Sequence, residues 1–253
     1  KRLRRAREVR GQPPLPKGYG VPGRSEVRGS GGAEFDAALL SSDDKHILAS
    51  LQDAIRDCTE SLEKYRFNDA AHALYEFIWH KYCDWYVEYS KDVLYGDDAA
   101  RREQVLKVMH YVFSNAIRLL HPMMPFVTEE LWHAMGYNEV MNDECGVRNG
   151  KSKAGSIMTA DWPVVLGEET LLRWGIDKNV VDYVNEKHEL VRAGRILRAD
   201  YGIMPTKKID YFIKPDSPDF SKMLTEDKDS LVTLLRASNL SIDTDFKPQS
   251  AMP

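Results

Sequence analysis

In the stretch SSDDKHILASLQDAIRDCTESLEKY, apolar positions fall at Ile47, Leu48, Leu51, Ile55, Cys58 and Leu62. Steps of three and four residues mark one buried stripe of an α-helix, opened by a Ser/Asp cap. After KYRF, Asn68 is placed to cap a second helix that runs to about Tyr95 and stops at Gly96. A third, roughly 98–120, puts Val105, Met109, Val112, Ala116 and Leu119 on one face. Pro122 ends it, Pro125 opens a short fourth helix, and Gly136 closes that one. Four helices joined by short turns predict an antiparallel bundle over 41–136, with Leu51, Ile55, Leu74, Ile78, Val112 and Leu131 in its core.

The pattern changes on both sides of this bundle. Residues 1–40 form a basic, Pro/Gly-rich arm with too little apolar surface to offset its ordering entropy, so they read as poorly ordered or irregular. Residues 137–167 are polar with scattered Gly and read as a linker. Beyond it, a long helix of about 175–201, the alternating strand KKIDYFIK, and LVTLLRAS followed by NLSID predict a small α+β subdomain at 168–253. The fold class is therefore mainly α, a helical bundle followed by a small α+β unit.

Composition narrows the class without naming a chemistry. A chain of 253 residues with 43% hydrophobic and 29% charged residues is globular. Residues 1–28 hold nine Lys/Arg against two Glu, a net +7, which leaves −11 for the rest of a chain whose formal charge is −4. An acidic total does not exclude RNA, because local patches govern its binding. Cys58, Cys83 and Cys145 show no C-x-x-C spacing, which fits a reducing cytoplasmic setting and argues against zinc knuckles and disulfides. No apolar run reaches the length of a membrane span. A first residue that is not Met predicts a piece of a longer protein.

The second helix, RFNDAAHALYEFIWHKYCDWYVEYSK, carries eight aromatic rings in 26 residues. At 3.6 residues per turn Ala71, Leu74, Ile78, Tyr82, Trp85 and Tyr89 share a face, and most of the rings are expected in the core. The segments KYRFNDAAHALYEFIWHKYCDWYVEYSK, LLHPMMPFVTEELW and SIMTADWP, in this order and spacing, resemble the anticodon-binding region of valyl-tRNA synthetase, a class I aminoacyl-tRNA synthetase. CDWY, Cys83–Tyr86, is the discriminating piece, since leucyl and isoleucyl relatives share the HPMMPF–EELW segment but depart there. RAGRILRADYGIMPTKKIDYFIK is similar to the family's Arg-x-x-Arg helix and following strand. Before residue 40 the family's Trp and Arg-Phe helix is not matched: Arg4 stands for the Trp and Glu8 for the Phe.

The resemblance implies tRNA binding, with valine tRNA as the cognate, by a monomer in the cytoplasm. No HIGH-like or KMSKS-like stretch occurs; NGKSK at 149–153 lacks the Met-Ser context. The ATP, valine and zinc sites and the editing domain are accordingly expected in a missing N-terminal portion, so this piece has no catalytic residue, cofactor or metal of its own. A coiled-coil arm is expected beyond Pro253 in the parent.

Anticodon bases are single-stranded, so a helical protein reads them with exposed rings beside donors and cations. Lys64, Tyr65, Arg66, Phe67 and Asn68 offer all three in one interhelix corner; alternatively, Tyr65 and Phe67 only staple two helices. Arg192, Arg195 and Arg198, three apart, form a basic stripe that either tracks phosphates or pairs with carboxylates. The histidines, with no acidic partner expected for His80, are assigned to packing or exposure, and Glu129 and Glu130 to a helix dipole. Asp84 is expected to be partly buried and paired with Arg118 or Trp162. A helical protein-interaction scaffold, or the equivalent domain of an isoleucyl- or leucyl-type synthetase, stands as the alternative function.

Overall fold

The computed structural model describes residues 35–137, 155–204 and 206–244. Most of the basic arm, the NGKSK segment and the Leu3–Val9 stretch lie outside the described residues. Helix α1, Ser42–Glu63, opens on a capping box: the Ser41 hydroxyl accepts from the Asp44 amide and the Asp44 carboxylate accepts from the Ser41 amide. Its predicted stripe is buried at Ile47, Leu48, Leu51, Ile55 and Cys58. The chain returns along α2, Phe67–Tyr75, a π-helical stretch Glu76–Val87, and α3, Glu88–Tyr95. It then turns into α4, Ala99–Leu120, capped by Asp98, and α5, Pro125–Ala134. Helix α4 packs on α1, α2, α3 and α5. Its expected face is buried at Val105, Val112, Ala116 and Leu119, with Met109 half-buried.

The π stretch corrects the face predicted for the second helix. Buried positions run Ala70, Leu74, Phe77, Tyr82, Tyr86 and Ser90. The five-residue step from Phe77 to Tyr82 belongs to a π-helix, whose wider turns pass the inward direction one residue along. Tyr86 therefore takes the place expected of Trp85, and Ile78, like Leu131 in α5, is only half-buried. Five of the eight rings belong to or pack on a core, Trp85 and Tyr89 among them as half-buried members. Phe77, Tyr82 and Tyr86 are buried, while Phe67, Tyr75 and Trp79 are exposed. The helix also starts at Phe67, one residue before the expected Asn68 cap, with no side-chain cap on Arg66.

Residues outside 41–136 complete the bundle. Phe35 and Leu40 enter its core, Ile157 packs with Trp132 and Tyr137, and Trp162 Nε1 donates to Thr59 Oγ1 at 2.9 Å. Leu171, Trp174 and Ile176, around α6 (Glu168–Arg173), also pack on it. Tyr137 and residues 155–167 of the segment read as linker, with the start of the expected C-terminal unit, are thus held against the helices.

A second core begins on α7, Lys178–Asp200, with β1 (Ile209–Ile213), α8 (Pro218–Glu226), α9 (Lys228–Leu235) and β2 (Ala237–Ile242). The strands pair in parallel, Tyr211 opposite Leu240, so α8 and α9 form the crossover that parallel pairing requires. Gly194 admits Leu235 where a Cβ would come within 2.5 Å of it. Lys187 of α7, wholly buried, meets Asp43 at 2.6 Å and Asp227 at 2.9 Å. Tyr183 and Ser42 also donate to Asp227, both at 2.8 Å. This charged knot joins the start of α1 to the small unit. Burial opposes charge on Lys187, but its two carboxylates overcome this and raise its pKa.

Candidate nucleic-acid interface

The corner after α1 is built by local hydrogen bonds. The Arg66 amide donates to Ser61 O at 2.8 Å and the Tyr65 amide to Leu62 O at 3.0 Å, the paired bonds of a Schellman turn. Such a turn needs a left-handed residue, and here Tyr65 holds it at φ 57° where Gly is usual. Its ring is carried outward and is 81% exposed; Phe67 is 61% exposed. The two rings meet edge to face at 6.3 Å, in contact with each other rather than sunk between helices. Around them, Lys64 pairs with Glu60 and Arg66 with Asp69 at 3.4 Å, each pair more than half exposed. Such pairs are weak and leave their cations available to a phosphate. Asn68 is exposed beside them.

The expected arginine stripe does not hold together. Arg192 lies in water and pairs with Glu189 at 2.6 Å. Arg195 lies over the Trp85 ring at 5.2 Å, and that ring also stacks on His188 at 4.0 Å. Arg198 is buried, 7% exposed, and donates to the carbonyls of Met204, Lys207 and Leu235. Positions three apart turn about 60° backwards at each step on an α-helix, so six residues carry the row from solvent into the second core. Arg198 is a structural tie for the segment that leads into β1.

Other expectations are corrected nearby. Asp84 is exposed and receives His80 at 3.1 Å, which supplies the acidic partner not foreseen for that histidine. Arg118 instead holds Asn115, Ser114 O and Asp161 O. Glu129 accepts from His133 at 3.0 Å and from Ser156 at 2.9 Å. No group of His, Cys, Asp or Glu among the described residues could hold a metal ion, and none of their helices is long and apolar enough to cross a membrane.

Two exposed features escaped the sequence reading. Tyr75, the last residue of α2, and Trp79 in the π-helical stretch stack with centroids 6.3 Å apart and planes 9° from parallel. At the α4–α5 corner Met124, Phe126 and Val127 lie in water. The one sequence signal for the latter is an apolar run astride Pro125, where a helix start leaves its first residues outside the bundle.

Residues 44–213 match the family described as the anticodon-binding domain of tRNA ligase, and the chain belongs to that family. Its curated relatives include valine–tRNA ligases. The chain is 35% identical over 203 residues to that of Geobacter sulfurreducens, across 80% of this chain and 21% of the relative. It is 32% identical over 234 residues to that of Geobacillus stearothermophilus, across 90% and 24%, and 30% identical over 220 residues to that of Bacillus subtilis, across 85% and 23%. The chain thus spans less than a quarter of the length of these relatives.

Proposed function

We propose that this chain is the anticodon-reading part of a valine–tRNA ligase, contributing recognition of valine tRNA to the ATP-dependent charging of that tRNA with valine. The ATP and valine sites then lie in segments outside this chain, which works as a cytoplasmic monomer. The Tyr65–Phe67 corner carries the reading: two rings held in water by a strained turn, beside exposed Lys64, Arg66 and Asn68. Folding alone does not call for rings placed so, whereas splayed bases stack on them and phosphates pair with the cations. The valine assignment is supported by the relatives' names.

The test is a titration of the chain against valine tRNA and an anticodon-swapped version at two salt concentrations. Parent affinity should fall steeply with salt. Phe67→Ala should weaken binding by about 1–3 kcal/mol, the worth of one stacked base. Arg66→Ala should flatten the salt dependence if its guanidinium meets phosphate, or narrow the preference for the cognate anticodon if it meets a base edge. Parent-like binding of both RNAs by both variants would reduce the corner to a helix staple.

A further inference from the structure

The bundle runs antiparallel, so the turn from α1 to α2 and the turn from α4 to α5 lie at one end of it, where α2 also packs on α4. At the second turn Pro125 starts α5 and the chain presents Met124, Phe126 and Val127 to water. Phe126 is 91% exposed, so it adds almost nothing to the core. One exposed apolar side chain is ordinary; several gathered at the end that already holds Tyr65 and Phe67 mark a binding surface.

Charge indicates which way an RNA strand leaves the first corner. A cleft of about 500 Å³ between α1 and α2 is lined by Asp53, Asp57, Glu60, Asp69 and Glu76, against Arg66 and Lys81. Its negative balance repels phosphates. Residues 121–127 contain no carboxylate, and of the two that follow on α5 Glu129 is already held by His133 and Ser156, so the α4–α5 turn repels a polyanion less than the cleft does.

We propose that Phe126 is a second base-stacking post for the same single-stranded RNA, flanked by Met124 and Val127. A loop with several splayed bases requires more than one ring, and a post at the neighbouring corner holds a nucleotide outside those read at Tyr65 and Phe67. This inference rests on the reading of the chain as an anticodon binder.

The test titrates the intact chain with valine tRNA and with its isolated anticodon stem–loop, each at two salt concentrations. Phe126→Ala should weaken both complexes about five- to 100-fold at each salt, leaving the salt slope and the melting temperature unchanged. Phe126→Tyr should bind like the parent, and Phe126→Leu, which keeps an apolar side chain but no ring, should lose most of the affinity. If Phe67→Ala weakens binding and Phe126→Ala does not, the second post is wrong while the first corner stands. Parent-like binding by Phe126→Leu overturns stacking in favour of a surface for apolar protein contact. Absence of tRNA binding by the parent chain overturns both readings together.

Discussion

At the residue scale, Tyr65 holds a backbone conformation that its own side chain disfavours. A left-handed conformation costs a residue with a Cβ about 1–2 kcal/mol, a cost glycine does not bear. Tyr65→Gly should therefore raise thermal stability by roughly 1 kcal/mol, because the Schellman bonds remain and the strain goes. It should also weaken tRNA binding, since the outermost ring of the corner is gone. Thermal melts and the RNA titration on the same preparation check both parts, and a variant that is neither more stable nor weaker in binding contradicts the assignment. Arg198→Ala belongs at this scale too. It should destabilise the second core by leaving three carbonyls without their donor, about 1–3 kcal/mol each at most where buried. Anticodon preference should be unchanged in whatever fraction stays folded.

At the scale of elements, the seam between α1 and α7 sets the response to acid. His46 Nε2 lies 3.0 Å from Asn185 Oδ1, with His188, Lys81 and Asp43 around it. Burial above all, with Lys81 and His188 close by, holds its pKa at about 4, against an ordinary 6.5. Between those values the unfolded chain binds a proton that the folded chain refuses. This contribution is complete above pH 6.5 and is lost as pH falls towards 4, by at most about 3 kcal/mol. Asp43 acts in a lower window. Burial raises its pKa, but the Lys187 ammonium more than offsets this and leaves it at about 2, so its contribution persists above 3.8 and is lost as pH falls through 2. Urea melts at pH 7, 5.5 and 4.5 should show falling stability in the parent and a flatter profile in His46→Gln.

For the whole molecule, the small α+β unit is docked through the buried Lys187 ammonium and its two carboxylates, Asp43 and Asp227. Lys187→Met should cost about 3–5 kcal/mol, because Asp43 and Asp227 lose the ammonium that neutralises them. Denaturant unfolding followed at tryptophan should report it, since Trp85 sits in this seam against His188. A variant as stable as the parent would mean that the knot sets geometry without adding stability. The isolated chain should also give no ATP–pyrophosphate exchange with valine. Exchange above background in a clean preparation would contradict the placement of that chemistry outside these residues.

Much of this architecture was legible in the sequence because it rests on local periodicity. The stripe of α1 and its Ser/Asp cap, the breaks around Pro122 and Pro125, and the strands at 209–213 and 237–242 all follow from residues close along the chain. At the corner Lys64–Asn68 the sequence shows only residue types, two rings beside cations and an amide, and the tertiary structure shows that the rings of Tyr65 and Phe67 stand in water. Three matters were decided in space. The π-helical turns moved the buried face by a residue, because the phase of a helix depends on what it packs against as well as on its own period. Arg198 left the basic row because a second core lies under the end of α7. Phe126 came to the same end as Phe67 because the bundle is antiparallel, which brings together residues that lie 59 positions apart in the sequence.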